Sequence, residues 1–195
     1  MASGVVIKNA QGGQTSLDLS SWSQYDLSTT ISGLFTDVVA HAGGSSVSQE
    51  TGNSRVVVKM SNSGTNSGFL TKFPITNGLA LHFASSSTVW SATGNFNNWY
   101  GCGFDERNFT ATVSSINPFR FGWANNHAWT DLAMFFSAGG WMVSDGTECY
   151  FLADDYTIMA HMSLSTAPTN WWVSDQNQDT GGTTLYLYID QIRYK

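Results

Sequence analysis

The sequence predicts an all-β protein, an antiparallel β-sandwich or jelly roll with an N-terminal β-hairpin. Three observations lead there. About a dozen short segments of strand composition are punctuated by Gly, Asn, Asp and Pro turn signals. No window of about twelve residues shows a 3.6-residue period between caps, so a short helix at residues 129–135 is the longest one expected. The third is composition: 11% of the 195 residues are charged and 14% aromatic, with 19 Gly, 8 Trp, 12 Phe and 7 Tyr. An ordinary soluble domain carries about 25% charge, so long helices and coiled coils are excluded. The aromatic content excludes intrinsic disorder.

Residues 4–9 alternate weakly, residues 10–14 are turn-rich, and residues 15–19 close the opening hairpin. Residues 54–60 read as a half-buried strand, with Val56, Val58 and Met60 on one face and Arg55, Val57 and Lys59 on the other. Strands at 69–73 and 79–83 flank Pro74 and Asn77-Gly78, a hairpin signal. Further strands are expected at 109–113, 119–123, 133–137, 140–144, 149–152, 156–162 and 171–174. Asp145-Gly146 reads as a second hairpin turn. Residues 184–194 form the longest strand. Both of its faces are apolar in part, which calls for a central position or a bulge near Asp190. No period of about 20–50 residues repeats, so propellers and solenoids are excluded. Two units are expected: residues 1–33 as an N-terminal hairpin or docking segment, in which the polar stretch 20–24 follows the hairpin and sets it apart, and a sandwich at 34–195.

The net charge of −6 and only eight scattered Lys and Arg exclude a phosphate-backbone binder, so no nucleic acid is expected. No stretch approaches the ~18 apolar residues of a membrane helix, and no signal peptide is read at the start, so no membrane insertion is expected. Cys102 and Cys149 match no zinc spacing and read as buried thiols ahead of a disulfide.

No catalytic constellation is complete. Asp105-Glu106 and Asp154-Asp155 are the carboxylate pairs that glycoside hydrolysis would need, yet each sits in a turn, where carboxylates are usually solvated. His41, His82, His127 and His161 stand alone, and no nucleophile elbow or phosphate-cradling loop is present. Asp175, Asn177 and Asp179 begin like a calcium loop. Thr180 and Tyr186 then stand where Gly and Glu are required, so a plain turn is preferred. No metal or organic cofactor is expected, and no enzyme.

Aromatic clusters carry the remaining signal. Adjacent aromatics on a strand point to opposite faces, so Trp99-Tyr100 and Trp171-Trp172 cannot all be buried by a one-sided sheet. Trp99, Tyr100, Asn125, Asn126, Trp129, Trp171 and Trp172 are therefore the candidate contacts to a glycan or partner chain, combining ring stacking with amide hydrogen bonds. Burial by a second sheet is the competing reading.

The opening Gly4-Val-Val-Ile-Lys-Asn9, followed by Gly12-Gly13 and Leu17-Asp18, resembles the start of small tail-tip and tail-fibre-associated proteins of long-tailed bacteriophages; the terminal Ile189 to Tyr194 is similar in character. The resemblance implies a virion protein of the distal tail, made in the host cytoplasm. It would dock to other tail chains as a homo- or hetero-oligomer and contact a host surface glycan. A stand-alone carbohydrate-binding module or lectin is the alternative, with a capsid decoration protein and a polysaccharide hydrolase behind it.

Overall fold

The computed structural model describes residues 15–34, 36–39, 46–60, 67–75, 77–88, 99–105, 120–124, 127–128, 139–163, 167–177 and 184–195. Its strands are β1 (Ser23–Gln24), β2 (Thr36–Val39), β3 (Ser46–Glu50), β4 (Arg55–Met60), β5 (Ser67–Pro74), β6 (Leu79–Phe83) and β7 (Trp99–Asp105). They continue with β8 (Arg120–Ala124), β9 (His127–Ala128), β10 (Gly140–Asp145), β11 (Glu148–Leu152), β12 (Ile158–Ser163), β13 (Asn170–Asn177) and β14 (Leu185–Tyr194). Among the described residues the 3-10 turn Thr51–Asn53 is helical, and Thr88 is also in 3-10 conformation. Two antiparallel sheets result. An eight-stranded one runs β12-β11-β10-β6-β14-β4-β3, with β1 added beside the end of β14; a six-stranded one runs β2-β5-β13-β7-β8-β9. The expected strands at 109–113 and 133–137, the helix at 129–135 and the first strand of the opening hairpin lie outside the described residues.

The main core forms where the sheets face each other. Val56, Val58, Leu81, Phe83, Met142, Phe151, Leu187 and Ile189 come from the larger sheet, and Phe104 and Trp171 from the smaller. β14 is central, between β4 and β6, and its pairing with β6 shifts register between Ile189 and Gln191. The bulge falls on Asp190, as expected. It lets Leu185, Leu187 and Ile189 face the core and then turns Ile192 inward as well. Beside the first half of β14, hydroxyls stand in for a strand: Tyr188 N–H donates to Ser87 Oγ at 2.9 Å and Tyr186 N–H to Thr88 Oγ1 at 2.7 Å.

β6 and β10 are buried on both faces, since Ala80, Trp141 and Val143 form a second cluster on the outer side of the larger sheet. Residues 15–24 cover it with Leu19 and Trp22, Leu17 packing alongside. This strap is tied by backbone bonds from Ile158 N–H to Thr15 O (2.8 Å) and from Leu17 N–H to Tyr156 O (3.1 Å). Ser16 thus pairs with Thr157. Leu27 and Leu34 enter the main core, and the Gln49 amide holds the intervening loop, donating to Leu27 O and accepting from Ile31 N–H. The polar stretch 20–24 therefore carries a buried anchor, Trp22, and residues 15–34 pack as part of the sandwich.

Asp145 pairs with Glu148 around a two-residue turn in which Gly146 takes φ +66°, the expected hairpin. Asn77-Gly78 behaves differently. β5 pairs with β2 and β13, whereas β6 pairs with β10 and β14, so the chain crosses between sheets there and the expected 69–83 hairpin does not form. Leu79, Ala80, Leu81 and Phe83 are all buried, which demands a neighbour on each side and cover on both faces. Gly78 is small for another reason: a Cβ there would stand 3.1 Å from the Trp22 ring and 3.2 Å from Ser144 O.

Candidate functional site

Trp171 settles which face of the six-stranded sheet is inside. It is 0% exposed, its indole N–H donates to Met142 Sδ at 3.2 Å, and its ring lies 6.2 Å from that of Phe83. Expected as a glycan or partner contact, Trp171 is instead a core residue. The physical reason is its place on β13, flanked by β5 and β7 and facing the other sheet.

Register then sorts its neighbours. Trp171 pairs with Phe73 and with Phe104, which is likewise buried. Positions two apart share a face, so Tyr100, opposite Asp175, belongs to the inward set. Trp172 and Trp99 belong to the outward set: Trp172 pairs with Lys72 and Gly103, and Trp99 with Gln176 and Ala124. Gly101 and Gly103 follow Trp99 on that face of β7, and Gly101 pairs with Gly122 of β8. On the outward face Gly101 thus lies between the two tryptophan positions, with Gly103 beside Trp172 and Gly122 beside Gly101, while Ser174 and Arg120 are the other partners of Gly101 and Gly103. From Trp99 to Gly103, the partner of Trp172, is about 13 Å at the strand rise. Asn125, Asn126 and Trp129 lie outside the described residues. Asp175 to Asn177 are strand residues of β13 paired with β5, not part of a turn.

A second cluster was not legible in sequence. His82 Nδ1 stands 2.5 Å from Asp190 Oδ1, at the bulge, and Nε2 stands 3.1 Å from Asp154 Oδ1. The ring leans on Trp141, with centroids 4.8 Å apart, and the Arg193 guanidinium lies 5.0 Å from the Trp141 ring centre. Burial works against charge on His82, but the Asp190 and Asp154 carboxylates outweigh it and raise its pKa above the ordinary 6.5. Both ring nitrogens are engaged, so His82 is not placed as a general base. Asp155, the other half of the expected carboxylate pair, accepts the Thr157 N–H at 3.0 Å. Hydrogen bonding from the Thr157 side chain, and then from its N–H, holds the Asp155 carboxyl below its usual range, the role of a turn cap. His161 meets Glu148 at the sheet edge and stacks on Tyr150 at 4.7 Å.

No family model and no curated protein matches the chain. Among solved structures it is similar to a Bacillus licheniformis β-glucanase, with 9% identity over 91% of this chain and 99% of that one, at a TM-score of 0.49. A native glycosidic hydrolase is similar at 10% identity, 89% and 95% coverage and a TM-score of 0.49. The potassium-bound carbohydrate recognition domain of Emp46p is similar at 12% identity, 87% and 94% coverage and a TM-score of 0.46.

Proposed function

We propose that this domain binds a carbohydrate on the outward face of its six-stranded sheet, with Trp99 and Trp172 stacking on sugar rings. The single observation that carries the reading is the register placing both tryptophan positions on the face opposite the buried Trp171, with Gly101 between them along β7, Gly103 beside Trp172 and Gly122 beside Gly101 on β8. Glycine removes side-chain bulk, so a flat ring can approach the sheet. Aromatic faces offer apolar area to sugar C–H groups while nearby polar groups orient the ligand. Binding rather than catalysis is favoured because Asp154 and Asp155 are engaged, one by His82 and the other by Thr157.

The setting we propose is a virion tail, where neighbouring tail chains hold the domain and its sugar is on a host surface. The support is the resemblance of residues 4–9 and 12–18 to tail-tip and fibre-associated proteins. Absence of the chain from purified source particles would remove this setting and leave the sugar-binding reading standing.

Retention on immobilised polysaccharides, screened across neutral and acidic types, tests the function. Trp99→Ala and Trp172→Ala should each weaken binding about tenfold, since a factor of ten is about 1.4 kcal/mol and a buried aromatic face supplies that much. Both variants should melt like the parent. Full retention by both would remove the proposed face.

A further inference from the structure

We propose that residues 15–24 form a pH-controlled strap: a protonated His82, donating to Asp154 and Asp190 at once, latches the 153–157 turn that holds the strap over Trp141. Loss of that proton opens the latch and bares the apolar outer face of the larger sheet.

The geometry requires the charged ring. A neutral imidazole has one donor and one acceptor nitrogen, whereas His82 presents both nitrogens to carboxylate oxygens. Only the imidazolium satisfies both. The weaker partner is Asp154, at 3.1 Å with a 61% exposed side chain, against 2.5 Å and 39% for Asp190. Deprotonation leaves a donor for one carboxylate and turns a lone pair toward the other, and Asp154 is the one released.

The turn that Asp154 anchors is under load. Tyr156 adopts φ +66°, a left-handed conformation that a bulky residue rarely takes. Its ring lies 5.7 Å from that of Trp141, and its carbonyl receives the Leu17 N–H. Two residues on, Ile158 N–H donates to Thr15 O. The turn therefore grips the strap from both sides of the Ser16–Thr157 pair. Leu19 O, further along, accepts from Arg193 Nη1 at 3.0 Å.

The other charged groups near the latch are already committed. Asp18 of the strap accepts the Ser20 N–H and lies in the field of Arg193. Asp155 caps Thr157, Arg193 also donates to Gln191, and β10 contributes only the uncharged Trp141. His82, 13% exposed at its side chain, is the group left to titrate near neutrality. Because its folded pKa is raised, the latch is at full strength below the unfolded value of about 6.5 and is lost as pH rises through the folded one.

Amide hydrogen exchange on the full chain, corrected for the intrinsic base-catalysed rate, tests this. Protection of Leu17 and Ile158 should fall by about tenfold or more between about pH 6 and about pH 9, the worth of one charge-assisted hydrogen bond. The β4 and β14 amides should hold. In Asp154→Asn and in His82→Gln the strap amides should be weakly protected at both pH values, with Asp155→Asn retaining the parent's fall. A pH-independent strap in the parent would overturn the proposal, as would an undiminished fall in Asp154→Asn or a parallel loss across the β4 and β14 amides.

Discussion

Replacing Trp171 by alanine should destabilise the domain by about 3–5 kcal/mol, the range for truncating a fully buried aromatic. The indole fills the space between the sheets against Phe83 and Phe104, and its N–H has Met142 Sδ as acceptor. Strands β5 and β7 hold the backbone on either side of the cavity, so collapse is limited. At about 2–4 °C per kcal/mol for a domain of this size, the melting temperature should drop by about 6–20 °C. Thermal melts by circular dichroism read this directly. An unchanged melt with loss of ligand binding would return Trp171 to the surface.

Trp22→Ala should cost about 3 kcal/mol in the same assay. Trp22 is 8% exposed and packs with Leu19, Ala80 and Trp141; the Lys195 ammonium lies 4.9 Å from its ring centre. Gly78 lies against the same ring so closely that a Cβ would crowd it. A docking arm separate from the sandwich would make this substitution nearly neutral. A change below about 0.5 kcal/mol, the scale of an ordinary surface substitution, would therefore refute the strap as an integral layer.

Local pattern told much about the strands and little about their partners. The mixed faces of β14 gave both its central place and the bulge at Asp190, because period two cannot bury Ile189 and Ile192 together without a shift. Asp145-Gly146 gave a true hairpin because both of its strands lie in one sheet. Asn77-Gly78 offered the same cue, yet the chain changes sheets there, a choice made by the burial of β6 on both faces.

The site divides along the same line. Alternation showed that Trp171 and Trp172 face opposite ways; which one is inside depends on the second sheet, and sequence spacing carries no record of it. His82, Asp154 and Asp190 looked solitary because 72 and 108 residues separate the ring from its two carboxylates. The pairing of β6 with β14, and with β10 and through it β11, brings them together.

The eight tryptophans make the central claim directly measurable. Their indole N–H signals, assigned in a ¹⁵N-labelled sample, should be followed while an oligosaccharide from the best-retained polysaccharide is added. The account predicts that Trp99 and Trp172 shift in a saturable manner while Trp22, Trp141 and Trp171 stay in place. Saturable shifts that bypass Trp99 and Trp172 would contradict it and move the binding site off the outward face of the six-stranded sheet.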